Sequence, residues 1–266
     1  MRRAAPSATI GVMRDLVPVD PAVPAPRPTV VALGPTAPRP VELFAFMAEA
    51  ELRFSSLRLR IVERVWNARG EDVEITEVAL RHPGYARVVR RRAARGVDRD
   101  YDVWVTDGQV VKTLDARSGT ASVRPLSSRV SGATDPGLPD FARVRVAQTQ
   151  LPPDTVAETF IHPRGLCRNV LATGLVTMEG SATLARDREA ILLRCDHPRT
   201  SHLLNDRPDR WLEVGVDRGT GLLLLLADHI GDRLTRHAAV DDLELDPSLP
   251  DETFTVHLSD DVRMIY

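Results

Sequence analysis

The sequence predicts a mainly β (α+β) fold, with a single curved antiparallel sheet, an incomplete β-barrel, wrapped around one or two helices. Three observations predict it. From Leu57 onward apolar and polar residues alternate in steps of two through much of the chain, as they do in half-buried strands. Turn signals separate the alternating runs at Asn67-Ala68-Arg69-Gly70, His82-Pro83-Gly84, Asp107-Gly108 and Ser118-Gly119. Only two segments read as helices, one ahead of the strands and one midway, which does not suit a parallel α/β sheet.

The elements follow in order. Residues 1–40 hold prolines at positions 6, 18, 21, 24, 26, 28, 35, 38 and 40, with small, scattered apolar residues. That composition builds no core, so a disordered or extended leader is expected over 1–40 and one domain over 41–266. Leu43, Phe44, Met47, Ala50 and Phe54 recur at three- and four-residue steps, predicting an amphipathic helix over 41–54. Leu57, Leu59, Ile61 and Val65 alternate with Arg58, Arg60, Val62 and Arg64, predicting a first strand. Further strands are expected near 72–80, 85–92, 101–106, 109–115 and 119–125, then a loop over 126–140 and a short helix near 164–171.

A second strand group is expected over 173–184, 188–195, 210–216, 221–228 and 231–238, with one more strand near 254–257. Its most informative stretch begins at Trp211, turns through Gly219 and Gly221 and continues into five leucines, Leu222 to Leu226. A strand, a glycine-bearing turn and a second apolar strand make a hairpin. Alternation puts Leu222, Leu224 and Leu226 on one side and Leu223 and Leu225 on the other, so the strand is apolar on both faces.

Composition narrows the function. The formal charge is −2, from 35 Lys and Arg against 37 Asp and Glu, so no global field favours nucleic acid or an anionic membrane. Lys112 is the sole lysine, a usage read as the GC-rich, actinobacterial coding type and not as phosphate recognition. Arg87, Arg90, Arg91, Arg92 and Arg95 are answered by Asp98, Asp100 and Asp102 and lack interleaved aromatics, so a solvated face is expected and no nucleic-acid partner. No apolar run approaches the roughly 18–20 residues of a membrane helix. Met1-Arg2-Arg3 starts like a signal peptide, but no apolar core of about 7–15 residues follows. The chain as written is expected in the cytoplasm, or in the envelope or secreted if its start is misassigned.

The usual catalytic signatures are missing: no Gly-x-Ser-x-Gly, no His-Glu-x-x-His, no phosphate loop and no dinucleotide fingerprint. Cys195, His197 and His202 match no ordinary zinc spacing, and His229 with His237 is no better placed for a dyad. No catalytic residue, metal or cofactor is assigned. Cys167 and Cys195 are either one disulfide or two semi-buried thiols.

The order of motifs resembles the LolA/LolB/RseB/LppX-like superfamily of lipoprotein carriers and sensors. The match runs through Phe54-Ser55-Ser56-Leu57, Leu80-Arg81-His82-Pro83-Gly84-Tyr85, Val105-Thr106-Asp107-Gly108-Gln109 and the block from Val216 to Leu249-Pro250-Asp251-Glu252-Thr253-Phe254. It covers about 41–266. The resemblance implies an incomplete antiparallel barrel with an apolar cavity for acyl chains, a lid helix at 41–54, and Arg81 as the arginine that holds the lid. His82 separates Arg81 from Pro83 here, a departure from the family's Arg-Pro pair.

The expected function is a non-enzymatic, transport-type binding protein for an acyl chain, a lipid or a lipidated protein. Its cavity lining is expected from Phe44, Met47, Leu59, Ile61, Leu80, Val103, Trp104, Leu192, Leu222, Leu224 and Leu226. Two rivals use the same fold: a regulatory module that reads a protein partner, and a small-molecule enzyme of cyclase type.

Overall fold

The structure, a computed structural model, describes residues 27–92, 100–126, 147–198, 207–258 and 262–265. Its strands form one sheet of twelve, left open at both ends. A first meander contains β1 (Ser56–Asn67), β2 (Gly70–Arg81), β3 (Tyr85–Arg92), β4 (Tyr101–Asp107), β5 (Val110–Asp115) and β6 (Thr120–Pro125). A second contains β7 (Leu175–Leu184), β8 (Arg188–Asp196), β9 (Arg210–Asp217), β10 (Leu223–Ile230) and β11 (Arg233–Leu245). The meanders join where β1 pairs antiparallel with β11, Leu57 opposite Leu245 and Leu59 opposite Leu243. The two-residue β12 (Arg263–Met264) adds to β6 in parallel, the one parallel pairing described.

Three short helices lie on one face, here called inner: α1 (Pro40–Met47), α2 (Val156–Ile161) and α3 (Arg164–Asn169). Leu57, Leu59 and Ile61 of β1, Val78 and Leu80 of β2 and Val88 of β3 pack into the same core as the helices. A smaller core lies on the outer face, where Leu249 and Phe254 cover Val89, Val103 and Val105.

Several expectations shift. The helix expected over 41–54 is α-helical only to Met47, followed by a 3-10 turn over Ala50–Arg53. The β9–β10 turn abuts it there: a Cβ added to Gly221 would stand 3.0 Å from the Phe46 carbonyl oxygen. β11 runs past 238 to Leu245, paired with β1 to that residue, and a register shift opposite Arg60 and Ile61 breaks its alternation. Residues 254–257 form no strand; a 3-10 turn over Asp251–Phe254 seats Phe254 on the outer face instead. α2 was not expected at all.

The ordered body also reaches back before residue 41. Thr29 donates from N and Oγ1 to Glu49 Oε2, at 2.7 and 2.8 Å, and Leu33 packs against the main core. Residues 1–26 of the expected leader and 127–140 of the expected loop lie outside the described residues.

Candidate binding face

The inner face is an apolar field that crosses the sheet. Val214 of β9, Leu224 and Leu226 of β10, and Ala238 and Val240 of β11 continue the rows begun by Ile61 and Leu59. A register shift between Leu223 and Leu225 carries Leu223 into the inner core as well, so the simple alternation expected for the leucine run fails there.

Local chemistry fixes the helices over this field. Pro40 opens α1, and Glu42 reaches back to accept from the Arg39 backbone N at 3.0 Å. Leu43, Phe46 and Met47 are 0 % exposed. Arg53 ties the helix end down, donating from Nη1 to the carbonyls of Phe46 (2.8 Å) and Thr220 (3.1 Å) and from Nη2 to that of Val30 (2.6 Å). Burial lowers the pKa of this guanidinium, and the carboxylate of Glu49 opposes the shift. Thr155 caps α2 by accepting from Glu158 N at 3.2 Å, and Phe160 and Ile161 of that helix are fully buried. α3 brings Cys167 Sγ to 3.8 Å from Met47 Sδ.

An ion pair with a buried carboxylate braces the turn behind α1. Asp217, 1 % exposed, accepts from Arg188 Nε and Nη2 at 2.9 and 2.7 Å and from Thr220 N at 2.8 Å. The opposite end of the inner face carries a belt of ion pairs. Arg210 meets Asp228, Arg236 meets Glu63, Arg90 meets Asp102 at 2.9 Å and Arg92 meets Asp100 at 3.3 Å. Within the belt Glu63 and Glu74 stand directly opposite across β1 and β2. Burial, more than that neighbour, raises the pKa of Glu74.

The residues expected to line a cavity divide between the faces. Met47, Leu59, Ile61, Leu80, Leu222, Leu224 and Leu226 are buried in the inner core, with Phe44 and Trp104 packed against it. Val103 belongs to the outer core, as alternation beside Trp104 requires. Leu192 pairs with Gly215, while its neighbour Leu193 joins the inner core. Arg81, implied as the lid holder, donates instead to Leu249 O (2.8 Å) and Asp251 (2.6 Å), and its guanidinium lies over the rings of Tyr85 and Phe254. It bonds the 249–251 segment, while Arg53 bonds the end of α1.

The two cysteines are free and buried; burial pushes Cys167 up to about 12 and Cys195 to about 11. His229 is stacked on Trp211 with centroids 3.7 Å apart. Among the described residues no group of three or more His, Cys, Asp or Glu is arranged to hold a metal, and His202 lies outside them. None of the described helices is long and apolar enough to cross a membrane. On the outer face, Arg58, Arg60, Arg87, Glu77, Asp242 and Val89 surround a half-open depression of about 280 Å³.

No protein-family model matches the chain, and no curated protein matches it. Solved structures do. MucB in the Pseudomonas aeruginosa MucA/MucB complex matches at 17 % identity and a TM-score of 0.46, over 82 % of this chain and 61 % of that one. LprF from Mycobacterium bovis matches at 10 % identity and a TM-score of 0.40, over 82 % and 98 %. A LolA superfamily protein from Nitrosomonas europaea matches at 10 % and 0.31, over 83 % and 99 %. The chain thus spans less than two thirds of MucB. These likenesses concern the fold.

Proposed function

We propose that the chain is a binding protein that takes an acyl chain, or a lipid or lipidated protein bearing one, between the inner face of its sheet and its helices. The observation that carries this reading is a mismatch of scale. An apolar field spanning most of a twelve-stranded sheet is covered largely by helices of eight, six and six residues. Helices this short have little stability of their own and hold their place through the apolar contacts they make. An apolar chain competes for those same contacts.

Leu43, Phe46 and Met47 already fill their part of the face, so the described arrangement is the closed form and the ligand enters by displacing them. Each such side chain contributes about 1.5–3 kcal/mol when buried, and each methylene about 0.8 kcal/mol. Roughly six to eleven methylenes therefore offset the three side chains of α1, which sets a minimum length for a ligand that binds well. Native mass spectrometry of protein purified from its own host tests the reading. A co-purifying species of lipid mass supports it; recovery of unliganded protein alone, with no uptake of added long-chain lipid, counts against it.

The depression on the outer face favours a second reading, recognition of a protein segment. Its rim carries three arginines and two carboxylates, and Arg87 is held by a carbonyl, that of Thr255, at 2.7 Å. A partner that survives Leu224→Gln but is lost on Arg87→Ala would favour this second reading.

A further inference from the structure

The belt on the inner face leaves one carboxylate poorly answered, and a hydroxyl with no partner stands beside it. Among the described residues the belt's ion pairs join five carboxylates to four guanidiniums. Arg236 is taken by Glu63, Arg210 by Asp228 and Arg90 by Asp102. Arg92 donates to Asp100 at 3.3 Å, which leaves Glu74 at 3.7 Å from its Nε, beyond hydrogen-bond reach. Two residues further along the same face of β2, about 7 Å away, Thr76 is 1 % exposed and its Oγ1 has no hydrogen-bond partner. Alternation with Val78 and Leu80 of the inner core turns both side chains to the inner face. The Glu74 side chain keeps 23 % of its surface in water, so a ligand can reach it.

We propose that Glu74 and Thr76 form the head-group site of the ligand, and that the head group is a protonated primary amine. The proposal rests on the acyl-chain reading above and names the polar end of that ligand. Thr76 stands opposite Ile61 on β1 and Arg90 on β3, and Glu74 opposite Glu63 and Arg92. The apolar field therefore ends at Thr76 and the charged belt begins at Glu74. A chain laid over Ile61 and Val78 brings its polar end to this border. An ammonium carries three N–H donors, one for the Glu74 carboxylate, one for the Thr76 hydroxyl and one for water. A buried hydroxyl without a partner lowers stability, so a residue of this kind fits a place that a ligand completes.

Charge selects the amine over other head groups. A carboxylate or phosphate at this border meets Glu74 and Glu63, while the guanidiniums nearby are engaged by carboxylates of their own. A neutral alcohol can bond Thr76 but gains nothing from the charge of Glu74. Burial raises the pKa of the Glu74 carboxyl, and Arg90 and Arg92 offset that only in part, in keeping with a carboxylate that has room for another cation.

Titration of the full chain with dodecylamine, dodecanol and dodecanoate, each kept below its solubility and micelle limits and read by tryptophan fluorescence, tests the site. All three share one chain, so their differences report the head group. The amine should bind about ten-fold or more tighter than the alcohol, with the carboxylate weakest though still held by its chain. Glu74→Gln should bring the amine down to the level of the alcohol and leave the alcohol unchanged. Glu179→Gln, which removes the same charge from the exposed surface of β7, should keep the full preference. Thr76→Val should weaken the amine by about three- to ten-fold while leaving the protein at least as stable in urea, a combination that a purely structural threonine would not give. An amine that binds no tighter than the alcohol, or a preference that Glu74→Gln leaves intact or that Glu179→Gln abolishes equally, would overturn the head-group site and leave the acyl-chain reading standing. If none of the three binds, the acyl-chain reading falls and the head-group site falls with it. Should Glu74→Gln not fold, the order of the three compounds on the wild type decides.

Discussion

Gly221 lies directly against Phe46: a Cβ built on the glycine would sit 3.0 Å from both Cδ1 and the carbonyl oxygen of the phenylalanine. Its φ of +83° is also one that other residues rarely adopt. The β9–β10 turn is thereby fitted to the end of α1, and the covering helix and the leucine strand are positioned by one contact.

Gly221→Ala is therefore expected to destabilise the protein by about 1–3 kcal/mol through backbone strain and displacement of α1. Equilibrium urea denaturation reads the loss. A variant as stable as wild type would show that α1 is not anchored at this turn.

Asp217→Ala removes the buried partner of Arg188 and the acceptor for Thr220 N. Arg188 keeps partial contact with water, so the loss is set mainly by the unpaired groups left in the turn, about 1–3 kcal/mol. The midpoint of unfolding should fall accordingly, and Asp217→Asn should recover part of the loss by keeping an acceptor.

The thiols offer a chemical test of how tightly the inner face is closed. Cys167 and Cys195 are both held well above the ordinary thiol range by burial, so neither should react with a thiol reagent at pH 8 in the native protein. Both should react once the chain is unfolded. Rapid labelling of native Cys167, which lies against Met47, would mean that α1 and α3 open freely at that pH.

Limited proteolysis should stop N-terminal to Val30, not at Pro40. Thr29, Val30 and Gly34 are tied to Glu49, Arg53 and Arg218. A stable fragment starting at residue 40 or later would contradict the docking of this segment.

Much of this fold was legible in the sequence, because strand alternation and glycine turns are local signals. The turns at 67–70, 82–84, 107–108 and 118–119 all fall between consecutive strands. The tail of β11 was hidden because the register shift upsets its period, and because Asp241 and Glu244 read as loop residues while in fact pairing with Arg60 and Arg58. α2 is too short for a periodic pattern, although Thr155 followed three residues later by Glu158 is a helix-start signature that marked it. The site was less legible than the fold. Strand parity alone rules out Val103 and Trp104 facing the same way, yet choosing between them requires knowing which face the helices cover. Glu51 and His162, 3.3 Å apart, come together only through tertiary structure, so no spacing in the chain announced them.

The most direct test of the central claim is titration of the folded protein with fluorescent fatty acids of increasing chain length, with Trp104 fluorescence recorded alongside. Trp104 packs against the inner core, so a chain that enters there changes its surroundings. Saturable one-to-one binding is expected, rising steeply between about six and eleven methylenes. It should be weakened by Leu224→Gln at a temperature where both proteins are folded, after allowing for the roughly 1–3 kcal/mol that a buried unpaired amide costs. A folded wild type that binds no acyl probe at any chain length would contradict the account.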